Sequence, residues 1–154
     1  MTSKMTVAVL TGTAVVALAS AVLAADVAAQ IKARHDFFHE IGHAMKSSAE
    51  EVKGGAPSIT NLQKYAAAID SLAPKISTLF PAGSGPESGL KTGAKAEIWT
   101  KSAEFSQDAK DFVTAAHNYA LAAKSGDINA TKAALMATGK TCKTCHEAFR
   151  AEEH

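Results

Sequence analysis

Residues 139–150 read Gly-Lys-Thr-Cys-Lys-Thr-Cys-His-Glu-Ala-Phe-Arg and contain both cysteines of the 154-residue chain. The centre of this stretch has the spacing C-x-x-C-H, which is typical of covalent c-type haem attachment. On a helix, positions i, i+3 and i+4 lie on one side within about one turn. Cys142 and Cys145 can then form thioether bonds to the porphyrin vinyl groups, while one nitrogen of His146 binds the iron. The motif predicts a single covalent haem c near the C-terminus.

Three other uses of this cysteine pair fit the chain less well. A thioredoxin-like dithiol needs a βαβ context, and no stretch of the sequence alternates with the period of two typical of a strand. A structural zinc site needs four ligands, and the chain has no further cysteine. A Cys142–Cys145 disulfide could form in an oxidising compartment but gives His146 no role.

The N-terminal segment, residues 1–24, has the parts of a signal peptide. The basic residue Lys4 precedes an apolar run over residues 7–23, and Ala24 provides the small-residue end that a signal peptidase requires. The run is also long enough for a retained membrane anchor, but no stop-transfer charge cluster follows it. We expect cleavage after Ala24, a mature domain of residues 25–154, and export, in a bacterium to the periplasm, with no stable membrane association afterwards.

Composition favours a folded helical domain. Hydrophobic residues make up 47% of the chain and charged residues 20%, whereas aromatic residues make up only 6%. Sixteen basic and fifteen acidic residues give a net charge of +1, which removal of Lys4 lowers to zero. A nearly neutral chain has no positive field for nucleic acid, so nucleic acid is excluded as a partner.

Apolar residues follow helical spacing in four segments. The segments span residues 27–53, 57–79, 95–124 and 128 to near the C-terminus, with one long connection at 81–93. They predict an all-α fold, an antiparallel four-helix bundle, with an irregularity at Gly139 in the last helix. The expected core residues are Val27, Ile31, Phe38, Ile41, Met45 and Val52, then Leu62, Ala66, Ile69, Leu72, Ile76 and Leu79, then Ile98, Trp99, Phe105, Phe112 and Tyr119.

This combination of a signal peptide, four helices and a C-x-x-C-H motif on the last helix resembles the cytochrome c′ / cytochrome c-556 family of class II c-type cytochromes. Ordinary cytochromes c instead have the motif near the mature N-terminus. The resemblance extends over the whole mature chain. It is carried by Ala33-Arg34-x-x-x-Phe38, Leu79-Phe80-Pro81-Ala82-Gly83, Glu97-Ile98-Trp99 and residues 139–150.

The resemblance implies that the residue four positions after Arg34 faces the open side of the iron. In this family a methionine there gives six-coordinate iron of the c-556 type, and a non-ligating apolar residue gives five-coordinate iron of the c′ type. Phe38 occupies the position. The resemblance therefore implies five-coordinate iron, with His146 as its axial ligand and a vacant distal site that Phe38 guards.

Two residues leave a six-coordinate, electron-transfer alternative open. His35 lies about 60° from Phe38 at one turn's distance, and Met45 lies on the same face as Phe38 but about 10 Å further along the axis. His39 and His43 continue the row of His35 away from the buried face, so we expect them to be solvated.

The resemblance also implies further roles. Arg34 is expected to bond a haem propionate, although it could instead reach water from the flank of the helix. Arg150 is expected beside the proximal face of the haem, although its positive charge could equally interact with the dipole at the C-terminus of the last helix. Trp99 and Phe149 are expected to pack against the macrocycle, and Phe37 faces a partner subunit if the protein is a homodimer.

The implied function is electron transfer with periplasmic redox partners, binding of NO and CO, or both. An apolar pocket offers no donor to bound O₂, so stable O₂ binding is not expected. A non-enzymatic carrier is favoured over peroxide chemistry, since no distal His/Arg pair is clearly placed for the latter.

Overall fold

Four long helices form the protein. We describe a computed structural model, whose backbone is described for residues 13–152 and whose side chains are described for residues 25–152. The helices are α1 (Thr13–Lys53), α2 (Ile59–Leu72), the one-turn α3 (Glu97–Thr100), α4 (Ser102–Ser125) and α5 (Ile128–Phe149). Within the described backbone the only β-structure is an isolated bridge between Ala94 and Arg150. The all-α prediction and the four-helix bundle are confirmed.

Neighbouring helices pack as α1–α2, α2–α4, α4–α5 and α5–α1. The α2–α4 pair is antiparallel, because Gln63 near the start of α2 donates to the carbonyl of Ala123 near the end of α4, at 3.1 Å. At the other end of the same pair, the rings of Phe80 and Phe105 meet edge to face with centroids 4.9 Å apart. Short connections make α1–α2 and α4–α5 antiparallel as well, so α1 and α5 also run in opposite directions.

Helix caps close the two short connections. The side chain of Asp127 accepts hydrogen bonds from the amides of Asn129 and Ala130 at the start of α5, at 2.8 and 3.0 Å. Gly126 ends α4 with φ +80°, a left-handed conformation that favours glycine. The hydroxyl of Ser58 caps α2 by accepting from the amide of Asn61.

The helices differ from the predictions at four places, of which the first three are as follows. Helix α1 begins at Thr13 within the described backbone, so it includes part of the predicted signal peptide; residues 1–12 of that segment lie outside the described residues. The second segment changes at Leu72 into a 3₁₀ helix, Ala73–Leu79, because Pro74 has no amide hydrogen for a further α-helical bond. The irregularity predicted at Gly139 is wrong, since α5 is continuous there.

The third predicted helix is divided at Lys101, where α3 ends and α4 begins. This break lets α3 turn so that Ile98 is buried and the indole nitrogen of Trp99 donates to the carbonyl of Phe80, at 3.2 Å. Most expected core residues of the second and third segments are buried, and the long connection at 81–93 is confirmed. On α1, Ile41 and Arg34 are buried, whereas the remaining residues of the stripe are half-buried.

Candidate haem-attachment site

The last turns of α5 place both cysteines against the core. Cys142 and Cys145 are half-buried and pack on the main hydrophobic cluster, and both are free thiols. Burial, and to a smaller extent the negative charge of Asp108, raise the pKa of Cys145 to about 11. Burial also raises the pKa of Cys142. The two sulfurs, one turn apart, therefore lie against apolar side chains, which suits thioether bonds to the apolar edge of a porphyrin.

The imidazole of His146 lies one turn from Cys142 and stays exposed at the surface. Partial withdrawal from water lowers the pKa of His146, and the nearby positive charge of Arg150 lowers it again. A lowered pKa keeps the ring neutral, which is the form that binds a metal ion. Arg150 lies one turn beyond His146, and its backbone amide donates to the carbonyl of His146. Its position beside the proximal face of the haem stays a prediction.

The register between α1 and α5 determines which residue of α1 is level with His146. A Cβ built on Gly139 would lie 3.9 Å from the methyl carbon of Met45, so these two positions are level where the helices cross. Seven residues further along α5 is His146, and seven residues back along the antiparallel α1 is Phe38. Both steps cover about 10 Å, so Phe38 lies within about one helical turn of the level of His146.

Phe38 is half-buried in a group of aromatic rings. Its ring lies 5.6 Å from that of Phe37 and 6.0 Å from that of Phe80, measured between centroids. The ring of Phe80 also contacts Trp99 and Phe105, and Phe105 contacts Phe149 at 5.3 Å. Phe149 is 4% exposed. An unbroken row of aromatic contacts thus joins Phe38 to the residue three positions after His146.

The guanidinium of Arg34 is buried and fixes the long connection. Its Nη1 donates to the hydroxyl of Ser84 at 3.0 Å and, more weakly, to the carbonyl of Leu79 at 3.4 Å. Its Nη2 donates to the carbonyl of Ser84 at 2.9 Å and to the hydroxyl of Thr92 at 2.8 Å. The guanidinium carbon also lies 4.7 Å from the centroid of the Phe80 ring.

Burial has two consequences for Arg34. The alternative in which it reaches water is wrong, because only 5% of the residue is exposed. Desolvation lowers its pKa, and the negative charge of Glu87 partly opposes that effect. Four of its five N–H donors are already directed at protein oxygens, so the propionate bond remains a prediction that must use Nε–H or exchange one of these partners.

The same connection is tied to the end of α5. The amide of Lys95 donates to the carbonyl of Phe149, and the amide of Ala151 donates to the carbonyl of Gly93, both at 2.9 Å. The ammonium group of Lys95 donates to the carbonyl of Glu147 at 3.0 Å. These bonds link the segment that Arg34 holds to the turn that follows His146.

The two alternative iron ligands lie elsewhere. The side chain of His35 is 76% exposed, and its ring stacks on that of His39. The methyl of Met45 is level with Gly139, two turns of α5 away from His146. Residues lining two surface pockets, near Tyr65 and near Pro74, include none of the predicted site residues.

Sequence reasoning missed four residues that shape the site: Phe80, Ser84, Thr92 and Asp108. A signal for three of them was present, because an arginine on an apolar helix stripe requires oxygen acceptors or a ring to cover it. The serines and the threonine of the long connection were the nearest candidates to supply those oxygen acceptors. Asp108 had no such signal, since its proximity to Cys145 depends on the packing of α4 on α5.

The fold and the C-x-x-C-H turn define a class, the four-helix-bundle cytochromes of the c type. A family model described as cytochrome C' matches residues 29–150. The chain is 38% identical over 123 residues to cytochrome c' of Pararhodospirillum photometricum, covering 79% of this chain and 96% of that relative. The chain therefore belongs to the cytochrome c′ family, and its cofactor is one covalently bound haem c.

Two solved structures of this family share the architecture. A cytochrome c' with an unusual ligand-controlled dimer dissociation has a TM-score of 0.74 and 27% identity, covering 80% of this chain and 95% of that one. A nitric oxide complex of a leucine-to-isoleucine variant of cytochrome c prime from Alcaligenes xylosoxidans has a TM-score of 0.72 and 25% identity, covering 80% and 94%. Among the helices of the described residues, none is both long and apolar enough to cross a membrane.

Proposed function

We propose that the haem is attached through Cys142 and Cys145 and that His146 is its axial ligand. The residues fit the group, because the two thiols are neutral, one turn apart and packed on the apolar core. His146 follows on the same side with a neutral imidazole and the charge of Arg150 beside it. Trp99 and Phe149 belong to the aromatic row that ends at this turn, which supports their predicted packing against the macrocycle.

We further propose that the sixth coordination position has no protein ligand and is guarded by Phe38. The observation that carries this proposal is the proximity of the Met45 methyl to Gly139, which supports a helix register with Phe38 within about one turn of the level of His146. A phenyl ring has no lone pair to donate to iron. His35, which points to solvent, and Met45, two turns away, support this proposal against the six-coordinate alternative.

The resulting function is that of an exported electron carrier that also binds NO and CO. A haem supplies reversible ferric–ferrous chemistry and an open position for a diatomic ligand. The side chains around Phe38 are apolar rings that offer no hydrogen-bond donor, so they favour NO and CO over O₂. The nitric oxide complex of the Alcaligenes relative supports this choice of ligand.

Location and partners follow from the same proposal. Residues 1–24 act as a signal peptide, residues 25–154 form the mature periplasmic domain, and the family match begins at residue 29, after the proposed cleavage site. The partners are periplasmic redox proteins. A homodimer is supported by the relative with ligand-controlled dimer dissociation, and in that homodimer Phe37 faces the partner subunit. Peroxide chemistry is not proposed, because the described residues do not place a His/Arg pair beside Phe38.

Carbon monoxide binding to the reduced holoprotein tests the role of Phe38. We expect Phe38→Ala to raise the CO association rate constant by about tenfold or more, because removing the ring lowers the barrier to entry. Leu121→Ala is the control, since it removes an apolar side chain from the exposed surface of α4, and it should change the rate by less than about twofold. Equal rates in Phe38→Ala and the unmodified protein would refute the guard.

A further inference from the structure

A row of exposed imidazoles lies on α1 outside the haem site. Residues 35–43 read His-Asp-Phe-Phe-His-Glu-Ile-Gly-His, so the three histidines follow one another at intervals of four. Residues four apart are neighbours on a helix surface. All three side chains are exposed, on the side of α1 that does not enter the core.

The first two imidazoles already face each other. The rings of His35 and His39 are stacked, with centroids 6.4 Å apart and planes inclined by 26°. The Nδ1 atom of His35 lies 3.5 Å from a carboxylate oxygen of Asp36, whose other oxygen is paired with Lys32. A carboxylate beside Nδ1 orients the ring and leaves Nε2 available to a metal ion.

The chemistry of the pair determines which cations it can hold. Imidazole nitrogens suit Cu²⁺, Ni²⁺ and Zn²⁺, and among these Cu²⁺ binds most tightly to a given set of ligands. Within the described residues, no three His, Cys, Asp or Glu side chains come together as a metal-binding group. A cation held by this pair would therefore complete its coordination with water.

Residues 39–43 also fit the pattern H-E-x-x-H, which in metalloproteases holds a catalytic zinc ion. A protease site is not supported here, because a third protein ligand is lacking in the described residues and Glu40 lies on the exposed surface. The stacked pair His35–His39 is the better chelate, since the structure places these two rings in contact.

We propose that His35 and His39 form a surface site for a divalent cation that prefers imidazole, with Cu²⁺ bound most tightly. The site is independent of the haem and goes beyond the proposed function. It also gives His35 a role outside the coordination of the haem iron.

Titration of the tag-free ferric holoprotein with CuSO₄ tests the site, by calorimetry and by electron paramagnetic resonance. The ferric haem and Cu²⁺ are resolved in different field regions, and no reductant is present to reduce the copper. We expect one bound Cu²⁺ with hyperfine structure from two nitrogens. His35→Gln and His39→Gln should each weaken binding by about tenfold or more, as expected for loss of a ligand.

Two further variants distinguish this pair from other histidines. His43→Gln should weaken Cu²⁺ binding by less than about threefold. His117 is a histidine of α4 that lies beside Asp70 of α2, and His117→Gln should leave Cu²⁺ binding unchanged. The proposal is overturned if His35→Gln or His39→Gln lowers the affinity for Cu²⁺ by less than tenfold, or if His43→Gln lowers it as much as His39→Gln does. It is also overturned if the unmodified protein binds no Cu²⁺. A haem Soret band that is unchanged in all variants confirms that the haem site is intact.

Discussion

The two ends of the bundle are held by different kinds of interaction. At the turn end, where residues 53–59 join α1 to α2 and residues 125–128 join α4 to α5, most of the stabilising bonds are helix caps between residues close in sequence, and the bond of Gln63 to the carbonyl of Ala123 is the long-range exception described above. At the loop end, residues 79–95 lie between α1 and α5, and the stabilising bonds join residues far apart in sequence.

This difference places most of the long-range hydrogen bonds beside the predicted haem site. The loop end contains Phe38, the guanidinium of Arg34 and the turn that carries His146. A capped turn fixes the direction of a chain, whereas the buried guanidinium of Arg34, with its four protein acceptors, holds the long connection against α1. We infer that the loop end positions the guard and the axial ligand, whereas the turn end only closes the bundle.

Loss of Arg34, at the loop end, is expected to lower the stability of the protein more than any other substitution considered below. Arg34→Met should lower the free energy of unfolding by about 2–4 kcal/mol, because the buried oxygens of Ser84 and Thr92 lose their donor. Urea denaturation of the ferric holoprotein measures the loss. Lys32→Met, two residues away on the exposed side of α1, is the control and should cost less than about 0.5 kcal/mol.

Crowding the loop end should have the second largest effect. A Cβ on Gly85 would lie 2.6 and 2.8 Å from ring carbons of Trp99, which is held in place by its bond to Phe80. Gly85→Ala should therefore destabilise the protein by about 1–3 kcal/mol. The matched control is Gly93→Ala in the same connection, where a Cβ meets nothing within 4 Å and which should be nearly neutral. If Gly85→Ala and Gly93→Ala unfold at the same urea concentration, the loop end is not tightly packed around Trp99.

At the turn end the expected loss is smaller. Asp127→Ala removes the side chain that caps α5 and should cost about 0.5–2 kcal/mol, whereas Asp127→Asn keeps an acceptor and should cost much less. Thermal or urea unfolding of both variants measures the difference. A loss for Asp127→Ala larger than that for Arg34→Met would reverse the ranking of the two ends.

The smallest effect is expected from Glu51, which also belongs to the turn end. The amide of Ser58 donates to its carboxylate at 2.7 Å and lowers its pKa, and Asn61 lowers it further. Because the folded state favours the ionised form, the stabilisation is present above the pKa of the unfolded chain and is lost as the pH falls through the lower folded-state value. The stability difference between the unmodified protein and Glu51→Gln should therefore shrink from pH 6 to pH 3. A constant difference over that range would mean that the charge contributes nothing.

Local patterns explain why the turn end could be predicted from sequence. The pair Gly126-Asp127 marks a helix end followed by a cap, and Ser58 marks the next helix start, so both short connections follow from residues adjacent in the chain. The C-x-x-C-H turn could be recognised for the same reason. The buried faces of α2 and α4 followed from the helical spacing of apolar residues.

The loop end could be predicted only in part. The sequence indicated a long connection and an arginine on an apolar stripe, but the partners of that arginine lie about 50 residues away and depend on how the connection folds. The break at Lys101 and the 3₁₀ helix after Leu72 likewise follow from tertiary packing and from Pro74, against a continuous helical pattern. The position of Phe38 along the bundle relative to His146 could be found only from the structure, where Met45 of α1 lies close to Gly139 of α5.

The spin state of the purified mature protein tests the central claim most directly. Absorption and electron paramagnetic resonance spectra should show high-spin iron, with a broad Soret band in the ferrous state, if His146 is the only protein ligand of the iron, as we propose. Sharp α and β bands of low-spin iron would show that a second side chain binds the iron, and they would contradict the vacant site guarded by Phe38.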